Sequence, residues 1–502
     1  METIVEIRKA CINLEGRNAF CINDHYYTFR ELADCISFQR AFIEKYAPGE
    51  KFLGVVTIND IETYSSILAT WFSGKAYVPI NPKNPPSRNQ NIIEQLEINN
   101  VLSSQPEMTL FPDKNLVQIT DTRILPFAKI NLDLPAISPE DVMFVLFTSG
   151  STGIPKGVPI NRRNLNAYVN SFYNIGFQID ETDRFLQMID LSFDVSVQNY
   201  VLPLVKGACV YTVAPGGRSS FEAYKVLDTY GITFAKMVPS TLNILRPYFN
   251  SIKLNRLRYS LFSGEALKTE LIEEWAGCVP NASIQNHYGP TEGTIDVLYH
   301  TWTKESSLKK SYNGVISIGK PFGDTIAIII DENGEEVPQG EKGELCIASS
   351  QLTTGYIKNQ VKNREAFFNH DIPGRETMRF YKTGDIVFMD KDGDYFFAGR
   401  KDYQVKTPGG FRVELGEIEF QAQKGFPGKN FIAISLEDKL GLSQIHLCVE
   451  NFQETKEVQS YLKSSLPDYM VPARIHSFDK LPLNINGKVD RIRLKEMITK
   501  NN

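Results

Sequence analysis

The chain has 502 residues, which is too long for one compact core, and about one domain per ~150 residues predicts several structural units. Apolar residues make up 42% of the chain and charged residues 23%, an ordinary composition for a globular protein. The 54 Lys and Arg residues nearly balance the 59 Asp and Glu residues, so the net charge is −5. This balance argues against a nucleic-acid-binding surface and against a polybasic membrane patch.

Along the chain, short apolar runs alternate with amphipathic segments of helical length. This alternation predicts α/β layers with largely parallel sheets. The predicted strands cover 52–58, 142–147, 208–213, 233–238 and 259–262, and the predicted helices cover 62–72 and 164–175.

The pattern changes near residue 324, where the runs TIAIIID, GELCIAS and DYFFAG are short, β-rich and bounded by Asp-Gly or Asn-Gly turn signals. They predict a β-rich subdomain over about 324–398. The last ~100 residues predict a small α+β unit, with helices at 416–423 and near 458 and strands at 431–435 and 445–450. We therefore predict an α/β protein with a large N-terminal domain of layered subdomains over 1–399 and a small C-terminal domain over 400–502.

Seven cysteines occur without a C-x-x-C pair, and the odd count favours free thiols in a reducing compartment. The N-terminal sequence METIVEIRKACINLEG lacks the apolar stretch of a signal peptide. No run approaches the roughly 20 apolar residues of a membrane span. We expect a cytoplasmic protein that binds neither nucleic acid nor a membrane.

The segment from Thr148 to Val158 reads TSGSTGIPKGV and directly follows a predicted buried strand. Its glycines permit close approach of the backbone to a ligand, its hydroxyls and amides suit phosphate oxygens, and Lys156 adds a positive charge. It is not a P-loop, because Pro155 stands where the second glycine is required. We interpret it as a phosphate-binding loop of another fold; a flexible surface loop is the alternative.

Seven further motifs occur along the chain, one before this loop and six after it. They are AYVPINP at 76–82, LSFDVS at 191–196, NHYGPTE at 286–292, YKTGD at 381–385, GRKDYQVK at 399–406, FRVELGEIE at 411–419 and NGKVDR at 486–491. Together with the loop they resemble the adenylate-forming superfamily, which includes acyl-CoA synthetases, luciferases and nonribosomal peptide adenylation domains. The resemblance covers about residues 20–495, and it implies ATP and Mg²⁺ as cofactors.

The resemblance also implies a role for individual residues. Tyr288 would stack on adenine, and Asp385 would accept both ribose hydroxyls. Thr291 would hydrogen-bond the α-phosphate, Glu292 would hold Mg²⁺ through oxygen, and Arg400 would contact the ribose and phosphate side. The nucleotide-binding residues implied in this way are Thr148, Ser149, Gly150, Ser151, Thr152, Gly153, Lys156, Gly264, Glu265, Asn286, Tyr288, Gly289, Asp385 and Arg400.

Lys488 lies in NGKVDR, where the spacing alone indicates a surface turn. By resemblance it is the catalytic lysine that bridges the substrate carboxylate and the α-phosphate, offsetting their repulsion in the transition state. Asp402 resembles the family's hinge, about which a mobile C-terminal domain rotates between adenylation and thiol transfer. Intact Lys156, Glu292, Asp385 and Lys488 argue against a non-catalytic nucleotide-binding regulator.

Asp194 stands where amino-acid-activating members carry an aspartate for the substrate α-ammonium. At ~4 Å and an effective dielectric near ~20, this ion pair is worth roughly 4 kcal/mol before desolvation. The alternative is a helix-capping Asp. Without this charge we would expect an acyl- or aryl-CoA ligase, which is the competing assignment.

Alignment with adenylation domains predicts a side-chain pocket that includes polar Gln198, His287 and Asp296. Buried polar groups cost roughly 1–3 kcal/mol each without a partner, so we expect a small or polar substrate side chain. Five positions, Val195, Leu261, Ser263, Ile295 and Asp296, resemble serine-activating members, whereas Gln198, Met237 and His287 do not match that pattern. We expect serine first, with alanine (including the D form) or glycine as alternatives. The predicted pocket residues are Asp194, Val195, Gln198, Met237, Leu261, Ser263, His287, Ile295 and Asp296.

The chain ends soon after Lys488, leaving no room for a carrier domain. It therefore resembles a free-standing adenylation enzyme such as the D-alanine ligases, and the implied thiol acceptor is the phosphopantetheine arm of a separate carrier protein. Two stretches depart from the family. QVKTPGGFRVE has one extra residue and lacks an Arg, which puts partner recognition in doubt, and GELCIASSQLTTGY replaces a Gly-rich segment, which we interpret as local loop variation.

Overall fold

The structure is a computed structural model that describes residues 1–105, 115–118, 130–136, 138–150, 155–213, 219–305, 309–374, 376–483 and 489–500. Short 3₁₀ segments cover Arg246–Ser251, Thr291–Gly293 and Asp468–Met470. The α-helices of these residues are α1 Thr3–Asn13, α2 Phe29–Tyr46, α3 Ile61–Phe72, α4 Pro86–Leu96, α5 Arg162–Asn174, α6 Asp194–Lys206, α7 Ser219–Thr229, α8 Pro239–Leu245, α9 Thr269–Ala276, α10 Gln360–Ala366, α11 Leu415–Gly425, α12 Thr455–Ser465 and α13 Arg491–Lys500.

The strands are short, and most lie before residue 401. They are β1 Asn18–Ile22, β2 His25–Thr28, β3 Phe52–Val56, β4 Ala76–Ile80, β5 Asn100–Ser103, β6 Asn115–Gln118, β7 Val142–Thr148, β8 Lys156–Asn161, β9 Arg184–Gln187, β10 Cys209–Thr212, β11 Phe234–Met237, β12 Tyr259–Phe262, β13 Ser283–Tyr288, β14 Leu298–Thr301, β15 Ser311–Tyr312, β16 Val315–Ile316, β17 Lys320–Pro321, β18 Ile326–Ile330, β19 Gly343–Ala348, β20 Phe367–His370, β21 Met378–Met389, β22 Tyr395–Arg400, β23 Gln404–Thr407, β24 Phe411–Glu414, β25 Phe431–Glu437, β26 Ser443–Glu450 and β27 Arg474–Phe478.

The chain divides into two compact units. The large unit comprises Met1–Pro82, Ile93–Phe147 and Gly157–Lys401, and the small unit comprises Lys83–Ile92, Thr148–Lys156 and Asp402–Asn502. The last segment of the small unit begins two residues beyond the domain boundary that we expected from the sequence. The small unit also takes in the Gly/Ser/Thr loop, an assignment that the sequence did not suggest.

Two largely parallel sheets build most of the large unit. One has nine strands in the order β17-β14-β13-β12-β11-β9-β10-β1-β2, and the other has six in the order β6-β5-β3-β4-β7-β8. Pairs from β9 to β13 are parallel, whereas β14 runs antiparallel to β13. Strands buried on both faces explain the continuous apolar runs of the sequence. The predicted α/β class is confirmed.

Antiparallel strands β18, β19, β20, β21 and β22 form the predicted β-rich part of the large unit. In the small unit, β25, β26 and β27 form a three-stranded sheet. Helices α11 and α12 bury Ile418, Val458 and Leu462 in one apolar cluster with Phe431 and Leu447 of that sheet. This α+β arrangement agrees with the periodicity of the last hundred residues.

Local signals explain where several helices begin. Thr28 and Glu31 form a capping box at the start of α2, in which the Glu31 amide donates to Thr28 Oγ1 at 3.2 Å. Asp60 caps α3 by accepting from the Thr63 amide at 2.8 Å. Of the described helices, none combines the length and apolar character that a membrane crossing requires.

Candidate functional site

Tyr288, Asp385 and Arg400, which are far apart in the sequence, meet in the large unit. Asp385 of β21 lies opposite Arg400 of β22 in the antiparallel register. The Asp385 carboxylate accepts from the Tyr288 hydroxyl through Oδ2 and from Arg400 Nη1 through Oδ1 at 2.6 Å. Burial first, and then the Asp385 charge, raise the pKa of Tyr288 well above its usual range. A carboxylate has about four acceptor sites, so Asp385 retains acceptor capacity for hydroxyl groups.

Glu292 belongs to the 3₁₀ segment that follows Tyr288, and its side chain is completely buried. The Tyr356 hydroxyl donates to Glu292 Oε1 at 2.6 Å. Gly289 precedes this segment, and a Cβ at that position would lie 2.2 Å from the Ile295 carbonyl oxygen, so only glycine fits.

A buried, oriented carboxylate suits Mg²⁺, which takes one or two protein carboxylates and completes its shell with phosphate oxygens and water. Within the described ranges, no group of three or more His, Cys, Asp or Glu residues could hold a metal ion without such help. Glu292 therefore fits the predicted metal role as a single protein ligand.

The Gly/Ser/Thr loop lies in the small unit. The Gly150 amide donates to Glu417 Oε2 at 3.2 Å, and Lys156 Nζ lies 3.8 Å from Glu414 Oε1. Ser149 Oγ accepts from the Glu414 amide at 3.1 Å. The Gly150 amide and the Lys156 ammonium thus contact glutamate carboxylates of the same unit in this structure. Of the loop positions predicted from the sequence, Ser151, Thr152 and Gly153 lie outside the described residues.

Three other predicted nucleotide-site residues, Gly264, Glu265 and Asn286, lie in the large unit. Glu265 accepts from the Ser240 amide at 2.7 Å and from the Ser240 hydroxyl at 2.8 Å, near the start of α8. Gly264 has a φ of +85°, and Asn286 donates from Nδ2 to the Ser317 carbonyl at 2.9 Å. Their roles toward a nucleotide stay predictions.

The structure describes the predicted hinge residue but not the predicted catalytic lysine. Lys488 lies outside the described residues. Asp402 is the first residue of the small unit's last segment, and its Oδ1 accepts from the Gln404 amide at 3.1 Å. The hinge role stays a prediction.

Asp194 is the first residue of α6, and only 9% of it is exposed. Phe193 occupies the N-cap position without a side-chain capping bond, so Asp194 is not the N-cap residue. Its Oδ1 accepts from the Val195 amide at 2.8 Å. Burial, followed by the nearby Asp296 charge, raises the pKa of Asp194 to about 6, and a hydrogen bond from Thr291 opposes the rise. A cation bound next to this buried carboxylate would therefore stabilise its ionised form.

A buried polar cluster lies in the same unit and centres on Lys236, a residue that the sequence analysis missed. Lys236 Nζ contacts Asp296 Oδ2 and donates to Gln198 Oε1 at 2.7 Å. The Tyr168 hydroxyl donates to Gln198 Oε1 and to Asp296 Oδ2. His287 Nδ1 lies 3.3 Å from Asp296 Oδ2. We call Tyr168, Gln198, Lys236, His287 and Asp296 the polar cluster.

The charges in the polar cluster are set by burial and by Lys236. Burial alone would raise the pKa of Asp296, but Lys236 and His287 outweigh it and hold the pKa at about 2. Burial lowers the pKa of His287, although Asp296 opposes this effect. Burial also lowers the pKa of Lys236, and the contact with Asp296 opposes this effect. At neutral pH Asp296 is therefore ionised and His287 is neutral, and the ion pair with Asp296 favours the ammonium form of Lys236.

The structure places Met237, which was predicted to line the pocket, in an apolar cluster and outside the polar cluster. Successive side chains of a strand point to opposite faces, and the register pairs Lys236 with Leu261 and Met237 with Phe262. Met237 and Phe262 pack in an apolar cluster with Leu242, whereas Lys236 joins the polar cluster. A shift of one residue exchanges the two faces of a strand. A lysine inside the apolar run TFAKMV was the signal that could have identified it.

The other predicted pocket residues are buried or partly buried. Leu261 lies in β12, Ser263 directly follows that strand, and Ser263 Oγ has no hydrogen-bond partner among the described residues. Val195 packs partly buried against the main core. Ile295 is 2% exposed and has a φ of +74°.

The turn before Asp296 is strained. Thr294 and Ile295 both have positive φ, at +58° and +74°, a conformation that β-branched residues rarely adopt. Gln351 Nε2 donates to the Asp296 carbonyl at 2.9 Å and to the Gly293 carbonyl at 3.2 Å. Gln351 is fully buried and lies in GELCIASSQLTTGY. The stretch interpreted as loop variation thus holds the turn that carries Asp296.

Comparison with known proteins shows the family of the chain. The family described as AMP-binding enzyme matches residues 8–357, which is more than half of the chain, and the chain belongs to this family. Two relatives illustrate the similarity. The dimodular nonribosomal peptide synthase of Bacillus subtilis (strain 168) is 30% identical over 96% of this chain and 20% of its own length. The other, zwittermicin A synthase ZmaJ of Bacillus cereus, is 31% identical over 88% of this chain and 84% of its own length.

Among solved structures, the adenylation domain AlmE of Vibrio cholerae in complex with glycyl-adenosine-5'-phosphate aligns with a TM-score of 0.85. It is 25% identical and the alignment covers 99% of this chain and 98% of that one. The resemblance stated from the motifs is therefore confirmed: the chain is an AMP-binding enzyme with the fold of nonribosomal peptide adenylation domains. It spans about a fifth of the length of the dimodular synthase.

Proposed function

We propose that this enzyme activates a small α-amino acid with ATP, releases pyrophosphate, and transfers the aminoacyl group to the phosphopantetheine thiol of a separate carrier protein. The observation that carries the proposal is the buried Asp194 carboxylate in an AMP-binding enzyme. A buried carboxylate with a raised pKa lacks a full counter-charge. The α-ammonium of an amino acid supplies one, whereas a plain acid does not, which disfavours the acyl- or aryl-CoA ligase.

In the first half-reaction, a substrate carboxylate oxygen attacks the α-phosphorus, and the bond from that phosphorus to the bridging oxygen breaks as pyrophosphate leaves. Both reactants are anionic, so positive charge near the new bond lowers the barrier. We assign that charge to Lys488, with Lys156 and the loop amides on the phosphates and Thr291 on the α-phosphate. Mg²⁺ bound through Glu292 would neutralise part of the phosphate charge.

Tyr288, Asp385 and Arg400 are assigned to the nucleoside. Asp385 presents acceptor oxygens to the ribose hydroxyls, and its bond from Arg400 at 2.6 Å orients the carboxylate. Tyr288 supplies a flat ring for adenine and is oriented by its bond to Asp385.

In the second half-reaction, the thiolate sulfur of the carrier arm attacks the acyl carbon, and the bond from that carbon to the phosphate oxygen breaks, releasing AMP. The two steps need different groups near the acyl carbon. We therefore propose that the mobile C-terminal domain rotates at Asp402 and withdraws Lys488. The seven described cysteines are buried free thiols, which supports our placement of the reaction in the reducing cytoplasm.

For the substrate we propose serine first, with D-alanine, L-alanine or glycine as the alternatives. Polar Gln198 and Asp296 support a hydroxyl-bearing side chain, and the glycyl adenylate of the AlmE structure supports a small one. The test is ATP–pyrophosphate exchange with every amino acid in both enantiomers and with plain acids. We expect exchange with a small amino acid, and we expect the Asp194→Ala variant to lose this exchange. Exchange with plain acids alone would refute the amino acid assignment.

A further inference from the structure

We infer that Lys236 determines substrate specificity. Paired with Asp296, it makes the side-chain end of the substrate site electrically neutral and hydrogen-bonding. The site then takes an uncharged side chain that carries both a donor and an acceptor, which means a hydroxyl or a primary carboxamide. The inference rests on the proposed function, because it concerns the side chain of the same amino acid substrate.

Lys236 and Asp296 form a buried ion pair. The side chains of Lys236 and Asp296 are 0% and 1% exposed, and Lys236 Nζ contacts Asp296 Oδ2. A buried charge is retained only when it is paired, because desolvation of a lone ion is very unfavourable. Each charge therefore neutralises the other. Neither is available to balance an acidic or a basic substrate side chain.

The contacts of Gln198 fix the orientation of its side-chain amide. Gln198 Oε1 accepts from the Tyr168 hydroxyl and from Lys236 Nζ, and the Lys236 ammonium can only donate. The carbonyl oxygen must therefore face them, which leaves the NH₂ group pointing elsewhere. Gln198 is 1% exposed. Its Nε2 has no hydrogen-bond partner among the described residues.

The two carboxylate oxygens of Asp296 differ in their contacts. Its Oδ2 contacts Lys236 and accepts from Tyr168, and this oxygen also lies nearest His287. Its Oδ1 is buried, and no partner for it occurs within the described parts of the chain. The turn held by Gln351 fixes the backbone from which this carboxylate projects. The orientation of Oδ1 is thus set by the protein.

Buried polar atoms are nearly always hydrogen-bonded, so these two atoms indicate where a ligand group binds. Gln198 Nε2 requires an acceptor, and Asp296 Oδ1 requires a donor. A hydroxyl or a primary carboxamide offers both. An apolar side chain would leave both atoms unpaired, a carboxylate would meet Asp296, and an ammonium group would meet Lys236.

The experiment measures exchange kinetics on matched amino acids. For the wild type we expect kcat/KM for either serine or asparagine to exceed that for its apolar analogue, alanine or leucine, by about 100-fold or more. The serine and asparagine arms distinguish a hydroxyl from a carboxamide. Aspartate and 2,4-diaminobutyrate should both be rejected. Preference for an apolar or charged side chain would overturn the inference and leave the proposed function intact, whereas no exchange with any amino acid would overturn both.

Single variants then test Lys236 by charge. Asp296→Asn leaves Lys236 without its carboxylate, a place that a substrate carboxylate can take, so relative kcat/KM for aspartate should rise about tenfold or more. Lys236→Met leaves Asp296 without its ammonium, so relative kcat/KM for 2,4-diaminobutyrate should rise instead. Structural damage cannot shift charge preference in opposite directions. Met237→Leu, on the opposite face of β11, is the matched control and should change neither ratio. Identical effects of both variants would refute the role of Lys236.

If a single variant fails to fold, the double variant Lys236→Met with Asp296→Asn decides. It removes both charges, so it should fold and still reject the acidic and the basic amino acid. It should also lower the preference for the hydroxyl or carboxamide substrate more than Met237→Leu does. A double variant with the wild-type selectivity profile would exclude Lys236 as a specificity determinant.

Discussion

Replacement of Asp194 by Asn should stabilise the substrate-free enzyme and abolish amino acid activation. The carboxylate is 9% exposed, and burial together with Asp296 raises its pKa from 3.8 to about 6. Asn keeps an oxygen that can accept from the Val195 amide, so the local hydrogen bond at the start of α6 is preserved. The substitution therefore removes the negative charge but keeps the size of the side chain and its hydrogen-bond acceptor.

The size of the effect follows from the pKa. One pKa unit corresponds to about 1.36 kcal/mol, so the rise from 3.8 to about 6 makes the ionised folded state about 3 kcal/mol less stable. Above pH 6 both the folded and the unfolded chain are ionised at this residue, and the folded state carries the full penalty. As the pH falls from about 6 to 4, the folded state takes up its proton first and the penalty disappears. The Asp194→Asn variant should therefore be more stable than the wild type above pH 6 and about equally stable near pH 4.

The assay is denaturant unfolding of wild type and Asp194→Asn between pH 4 and 8 without amino acid. We expect an advantage of up to about 3 kcal/mol for the variant at pH 7.5. Asp180→Asn is a suitable control, because hydrogen bonds from Thr182 lower the pKa of exposed Asp180, so its replacement should not stabilise the protein. An unchanged or lower stability of Asp194→Asn at pH 7.5 would refute the argument that the buried, ionised carboxylate destabilises the folded state.

Activity supplies the second half of the test. The attraction between the substrate ammonium and Asp194 is worth roughly 4 kcal/mol at ~4 Å, which is enough to offset the folding penalty. The KM for the amino acid should therefore rise as the pH falls through about 6, where Asp194 becomes protonated. Asp194→Asn should lose exchange at every pH. A wild-type KM in this variant would show that Asp194 does not bind the ammonium group.

Three further changes separate the other roles. Lys488→Ala should reduce pyrophosphate exchange by about 10² to 10³ without changing ATP binding, as measured by exchange and nucleotide titration; exchange near the wild-type rate would remove Lys488 from the mechanism. Gln351→Ala leaves the carbonyls of Gly293 and Asp296 without their donor, so it should destabilise the protein by about 1–3 kcal/mol and raise the KM for the amino acid more than that for ATP. Equal effects on both KM values would make Gln351 purely structural. Asp402→Pro should preserve adenylation and reduce thioester formation, because proline fixes φ near about −65°; equal loss of both would indicate general damage.

Much of the architecture follows from the sequence alone. Continuous apolar runs identify strands such as β7 and β12 because strands buried on both faces need no alternation. The Asp-Gly and Asn-Gly turns mark the β-rich part. The motif order identifies the family, and within it Asp194, Asp385 and Arg400 are identified by motif and fall in buried or paired positions.

The sequence could not decide which side chains of a strand face the substrate. Lys236 and Met237 are neighbours, and only the register of β11 against β12 turns one to the polar cluster and the other to an apolar core. An error of one residue in alignment exchanges the two faces of the strand, and the lysine inside the apolar run TFAKMV was the signal of it in the sequence.

The tertiary structure also decided how Asp296 is charged and held. Its partner Lys236 lies 60 residues away, and Gln351, which supports its turn, lies 55 residues away on a segment that resembled simple loop variation. Local sequence can propose that a buried carboxylate binds substrate. Whether another charge already neutralises it depends on contacts between distant segments, because electrostatic interactions in a buried site are set by distance and desolvation rather than by order along the chain.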